Sequence, residues 1–219
     1  MKITKFGHCC LLIEEGGLRI VTDPGTFTTE QDGLTNIDVI LISHEHADHF
    51  HVESVKKMVV NNPQAKIITN KPVAALIAEA GVKAEVIVVE HGEKHVEKGV
   101  SFDAFGKAHA PIYGNMPSVE NTGYFIGPRL YYPADAFYNP KANDGREIEI
   151  LALPVGGPWM KTSEAIDYAL AVAPKTIFPV HDGLYLNPKM GMMMVERFIT
   201  SLAPGIAIVT LDIGKETEF

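Results

Sequence analysis

Cysteine is scarce in this chain: two among 219 residues, side by side at Cys9 and Cys10. Adjacent cysteines cannot cross-link distant segments. That argues against a secreted disulfide framework, and a reducing cytoplasm is the expected compartment. Positive charge is also in short supply. Nineteen Lys and Arg face 27 Asp and Glu, for a formal net charge of −8. A sequence-wide attraction to nucleic-acid backbones is therefore not expected. No apolar run approaches the ~20 residues that a bilayer span requires, so no membrane partner is expected. The first residues, Met1 to Phe6, enter a strand pattern directly and form no signal-peptide core. Linkers, low-complexity tracts and solenoid-length repeats are missing as well. The chain reads as one domain over residues 1–219.

The elements that the pattern does predict are numerous and short. Strands are expected at Ile3–Phe6, Cys10–Glu14, Leu18–Thr22, Asp38–Ser43, Lys66–Thr69 and Glu85–Val89. A second series follows at Val100–Gly106, Tyr124–Ile126, Leu130–Tyr132, Glu149–Leu153, Thr176–Val180 and Ile206–Thr210. Amphipathic helices are expected at Val52–Val60, Pro72–Ala80, Thr162–Ala173 and Met190–Leu202. Strands outnumber helices in each half, and helices recur late in each. Two sheets face to face with helices outside, an α/β (α+β) sandwich, would satisfy this order.

Histidine is where the chain is rich. His44, His46, Asp48 and His49 form an H-x-H-x-D-H block directly after the apolar run Val39-Ile40-Leu41-Ile42. His44 and His46 are two apart, so in extended backbone they point to one side and can hold one metal. Asp48 and His49 lie beyond the turn and can reach a second. A lone histidine is usually a polar loop residue, but four ligand types in this register after a buried strand favour a site. Three more ligand-capable residues stand just past strands: His109, Asp135 and His181. Four strand ends on one edge of a sandwich can converge on one cleft. Imidazole and carboxylate without thiolate suit zinc, manganese or iron. Ser43, beside His44, is read as loop-forming. His8 is balanced between a donor in the cleft and a structural histidine. His51, His91 and His95 are read as surface or supporting residues. Cys9 and Cys10, and the Met190, Met192, Met193 and Met194 cluster, are read as core packing.

The order H-x-H-x-D-H, lone His, lone Asp, lone His resembles the metallo-β-lactamase-fold hydrolases over essentially the whole chain. Gly7-His8-Cys9-Cys10-Leu11-Leu12-Ile13 is similar to the "GHS-x-x-x-I" opening of the branch related to L-ascorbate-6-phosphate lactonase. Leu153-Pro154-Val155-Gly156-Gly157-Pro158-Trp159-Met160 and Pro179-Val180-His181 resemble that branch's "LPIGG-x-x-M" and "P-x-H" segments. The resemblance implies a four-layer αββα sandwich and two divalent metal ions. It implies that His44, His46 and His109 hold the first metal, that Asp48, His49 and His181 hold the second, and that Asp135 bridges them. Asp23 would brace the ligand loops. Ala134 departs from the pattern, standing where a glycine often precedes the bridging Asp, and Ala136 replaces a frequent Thr.

The implied activity is hydrolysis of a small ester, lactone, amide or phosphodiester by a hydroxide shared between the metals, with Asp48 as the catalytic carboxylate. A lactonase or phosphodiesterase acting on a small-molecule substrate is expected, with homo-oligomers allowed. Two alternatives stay open: a non-catalytic metal or ligand-binding protein of this fold, and a nuclease of the same superfamily, which the charge disfavours. Pro111–Asn121 is expected to cover the site, because it follows His109 and holds turn-forming residues.

Overall fold

The computed structural model describes residues 1–114, 118–187 and 189–219. In chain order the first strands are β1 (Lys2–Gly7), β2 (Cys10–Glu15), β3 (Leu18–Thr22), β4 (Val39–Ile42), β5 (Lys66–Thr69) and β6 (Glu85–Val88). Helix α1 (Val52–Asn61) and helix α2 (Lys71–Glu79) fall among them. Then come β7 (Lys94–Glu97), β8 (Val100–Phe105), β9 (Gly123–Ile126), β10 (Leu130–Tyr132), α3 (Pro140–Asp144), β11 (Ile150–Pro154), α4 (Thr162–Val172) and β12 (Thr176–Val180). The chain closes with α5 (Lys189–Leu202), β13 (Ala207–Ile208) and β14 (Glu216–Glu218).

These strands make two sheets, ordered β14-β1-β2-β3-β4-β5-β6 and β13-β12-β11-β10-β9-β8-β7. Each is antiparallel through four strands and parallel through the rest, with β3 and β10 the pivots. The inner parallel strands β4, β5, β11 and β12 are buried on both faces, which is why they read as continuous apolar runs. In β4, Val39 and Leu41 face the second sheet, while Ile40 and Ile42 pack under α1 and α2. In β11, Ile150 and Ala152 face the first sheet, while Leu151 and Leu153 pack under α4 and α5. The alternation follows from the two-residue period of a strand. The result is the four-layer αββα sandwich.

Two strands were not legible. β7 is charged and carries no apolar alternation that would mark a strand. It is an edge strand whose charges are paired, Lys94 with Asp103 across the β7–β8 pair at 3.8 Å and Glu97 with Lys66 of the other sheet at 2.9 Å. β14 is equally polar and becomes a strand only because it adds to β1, Ile3 opposite Thr217. The methionine reading needs a correction. Only Met192 enters the core, with Val195 and Ile199 on the same helix face. Met190, Met193 and Met194 lie off that face and are exposed. Among the described residues, no helix is long and apolar enough to cross a membrane.

Candidate metal centre

Strand direction assembles the site. β1 and β3 run the same way because β2 is antiparallel to both, and β4 is parallel to β3. His8, Asp23 and His44 therefore all leave from one edge. In the second sheet β8 and β10 share a direction through β9, and β12 joins them through β11. His109, Asp135 and His181 follow the ends of those strands. Several of these exits use left-handed backbone at a non-glycine residue: His8 (φ 50°), Asp23 (φ 37°), Ala134 (φ 51°) and His181 (φ 56°). Such conformations are costly outside glycine and cluster where a chain must aim a functional group. The φ of Ala134 is the physical reason a glycine would be at home there.

All seven residues singled out as ligands come together. His44, His46, His109 and Asp135 offer ligand atoms within 4.8 Å of one another, and so do His8, Asp48, His49 and His181. Asp135 touches both sets. Its Oδ2 lies 3.2 Å from His109 Nε2 and 3.0 Å from His181 Nε2, and its Oδ1 lies 3.1 Å from His49 Nε2. His44 Nε2 is 3.1 Å from His46 Nδ1. His181 Nε2 and His49 Nε2 lie 3.5 and 3.7 Å from Asp48 Oδ2. Most of these side chains are fully buried. Asp48 and His46 are the two that reach solvent, so the cleft opens on their side.

The donor atoms fit a cation. His49 Nε2, His109 Nε2, His181 Nε2 and Asp135 Oδ1 are buried with no hydrogen-bond partner. Buried polar atoms are normally paired, yet these four converge on one another. Charge points the same way. Asp23, Asp48 and Asp135 bring three carboxylates into a nearly dry pocket, which needs compensating positive charge. Without metal, protons supply it. Burial opposes protonation of His49, but Asp135 and Asp23 overcome it and hold the imidazole well above its ordinary pKa. Burial opposes His181 likewise, and the Asp135 and Asp48 carboxylates, 3.0 and 3.5 Å from its Nε2, still raise it to about 9. His44, whose Nε2 lies farther from Asp135 at 3.9 Å, is pushed well down by burial and by the neighbouring His49.

Supporting contacts fix the ligands. Asp23 accepts from Ser43 N at 2.8 Å, from Ser43 Oγ and His49 Nδ1 at 2.6 Å each, and from Tyr132 OH. The His109 and His181 rings donate through Nδ1 to the carbonyls of Ala110 and Gly156, which leaves Nε2 of each free to ligate. Asn121 donates to Pro133 O at 3.0 Å and accepts from Asp135 N at 3.1 Å, so it anchors the Asp135 turn. Asn70 accepts from Val73 N at 3.2 Å as the cap of α2, and donates to Ser43 O at 2.9 Å. Neither asparagine was singled out, since an N-cap signal does not say what else the side chain reaches.

Trp159, the lone tryptophan, was also missed as a site residue. Its ring lies 5.8 Å from that of His109 and 5.5 Å from that of His181. Cys9 is fully buried and within ligand reach of His49 and Asp135. Burial pushes its thiol pKa well up, so it packs as a small neutral residue. His51, His91 and His95 join neither ligand set. Arg129 sits at the opposite end of β10, paired with Glu149 at 2.8 Å, away from the cleft. Part of the loop Pro111–Asn121, residues 115–117, lies outside the described residues. Its stems adjoin the site: Ala110 N donates to Asp135 O at 2.8 Å and His109 N to Val119 O at 3.2 Å.

Comparison with known proteins agrees with this architecture. A family model described as beta-lactamase superfamily domain matches residues 2–181, and the chain belongs to that family. Protein Rv0786c of Mycobacterium tuberculosis is 36% identical over 197 residues, covering 88% of this chain and 89% of its own. A UPF0173 metal-dependent hydrolase of Natranaerobius thermophilus is 26% identical, covering 83% of each chain. Among solved structures, Igni18, a metallo hydrolase from Ignicoccus hospitalis, superposes with a TM-score of 0.75 at 20% identity, over 100% of this chain and 98% of its own.

Proposed function

We propose that this chain is a metal-dependent hydrolase of small molecules, using two divalent ions. The observation that carries the reading is the convergence of unpartnered buried donors on two ligand sets joined by Asp135. The relative named as a metal-dependent hydrolase supports it. His44, His46 and His109 would hold one ion, and Asp48, His49 and His181 the other, with Asp135 shared. The donor set suits zinc first, with manganese or iron acceptable. Bound there, such ions would polarise a scissile carbonyl or phosphoryl oxygen and would lower the pKa of an attacking water to about 7.

The protein's own contributions are positioning and proton handling. The His44, His49 and Asp135 side chains are dry, so their geometry is held without competing water. Asp48 stands at the open side, where a substrate arrives. Its carboxylate is kept ionised: burial acts against this, but the neighbouring His181 imidazole and the hydrogen bond with His8 prevail and lower its pKa. An ionised oxygen at that place can accept a hydrogen bond from the nucleophile and orient it for attack. Esters, lactones, amides and phosphodiesters all match this chemistry, with lactones and phosphodiesters the first to test.

The test is elemental analysis of the purified protein combined with a panel of those four substrate classes. We expect two metal equivalents and turnover that disappears on chelation and returns with metal. A fully loaded protein that turns over nothing across the panel would make it a binding protein.

A further inference from the structure

We infer that His8 is a positioning residue: it holds Asp48 in place through an Nε2–H hydrogen bond and takes no metal itself. The inference rests on the two-ion reading above and concerns the second of the two ligand sets. His8 is within ligand reach of Asp48, His49 and His181, so proximity alone would make it a fourth ligand of that set.

Its hydrogen bonds decide otherwise. The backbone N–H of Gly183 points at His8 Nδ1 from 3.2 Å. An N–H needs an acceptor, so Nδ1 carries no proton. The ring proton of the neutral imidazole is then on Nε2, and Nε2 lies 3.1 Å from Asp48 Oδ2. A metal on Nε2 would require the ring proton to move to Nδ1, where it would confront the Gly183 N–H donor to donor. His109 and His181 show the opposite arrangement. Their Nδ1 atoms face carbonyl oxygens, which selects the tautomer with Nε2 free.

The ring cannot easily turn to escape this assignment. It stacks on Phe27 at 4.5 Å with an interplanar angle of 18°, and its centroid is 4.0 Å from that of His181. The His8 carbonyl accepts from His181 N at 3.2 Å. Glycine at 183 eases this approach, because a Cβ there would sit 3.0 Å from His8 Nδ1 and press on the ring. Asp48 is the member of the set that needs a brace. Its side chain is 22% exposed, against 1% for His8 and His181 and 0% for His49. It also sits in a turn rather than at the end of a strand.

The experiment has a spectroscopic arm and a binding arm. Nitrogen-15 NMR of the imidazoles, on the metal-free and the zinc-loaded protein, should show His8 protonated on Nε2 in both. A His8 spectrum with Nδ1 protonated and Nε2 coordinated overturns the inference. In the second arm Zn²⁺ is titrated into wild type, His8→Phe and His8→Gln, read by equilibrium dialysis and by Trp159 fluorescence. Phe keeps the stacking surface and removes the donor, while Gln restores an N–H. We expect His8→Phe to keep the first equivalent and to bind the second about 10–100-fold more weakly, with Gln recovering most of the loss. Unchanged binding in His8→Phe, or an equal loss at both sites, overturns the inference and leaves the two-ion reading standing. A wild type that takes up one equivalent overturns both. Should His8→Phe fail to fold, the tautomer measured in the wild type still decides.

Discussion

Asp23 shows how one side chain can control a site without joining it. It is fully buried and accepts from Ser43, His49 and Tyr132. Asp23→Ala would strand four buried donor groups and remove the counter-charge of His49. Breaking a buried pair in this way costs about 3–5 kcal/mol, or roughly 10 °C in Tm for a chain of this length. Calorimetry of the chelated protein would measure that loss, and zinc titration should show affinity falling by about 10–100-fold. Asp48 makes a contrasting case. Partly exposed to the cleft, it contributes little to packing, so Asp48→Asn should leave the Tm nearly unchanged. Its rate on any substrate found should fall by about 10²–10⁴. Near-normal turnover with full metal content in both Asp48→Asn and Asp48→Ala would remove its catalytic role.

Among the elements, the turn between β4 and α1 carries four of the proposed ligands and is held from outside itself. Gly25, in the strand exit after β3, packs directly against it: a Cβ there would meet Asp48 O at 1.9 Å. Gly25→Ala must displace the turn. It is expected to give a protein that is poorly soluble or that binds less than one equivalent of metal, which expression followed by elemental analysis would show. From the other side, Asn70 caps α2 and holds Ser43 O. Asn70→Ala should cost about 0.5–2 kcal/mol as a lost cap. Because the same side chain braces the residue before His44, metal affinity should fall with stability. An N-cap variant that weakens folding while leaving zinc binding intact would separate the two roles.

Across the whole molecule, the centre couples folding to pH. In the metal-free protein His181 is raised to about 9 by its carboxylate neighbours, once they outweigh burial. A folded-state pKa above the unfolded value of about 6.5 gives stability that is complete below pH ~6.5 and is lost as pH climbs through about 9. His8 acts in the other direction. Burial pushes its pKa down to about 4, so the unfolded chain takes up a proton below about 6.5 that the folded chain refuses. Stability then falls as pH drops from ~6.5 toward ~4. Urea melts of the chelated protein near pH 5, 7 and 9.5 should therefore peak at the middle value. Metal binding must displace the His181 and His49 protons, so loaded protein should gain stability on the alkaline side and lose the alkaline decline. Equal alkaline loss with and without metal would disprove this coupling.

Much of this was legible in the chain itself, and the reason is local. Strands buried on both faces, such as Val39–Ile42 and Thr176–Val180, leave continuous apolar runs, and a ligand just beyond each run marks a strand end. That fixed the αββα layering and brought His44, His46, Asp48, His49, His109, Asp135 and His181 forward as one set. What the chain could not show depends on neighbours far away in sequence. β7 and β14 are strands because another strand offers an edge, whatever their polarity. The tautomer of His8 depends on Gly183, 175 residues away, and the double duty of Asn70 and the placing of Trp159 depend on loops brought together by both sheets. Residue type and spacing determine which atoms can bind a metal. Only the packed sheets decide which of them face one another and which nitrogen keeps its proton.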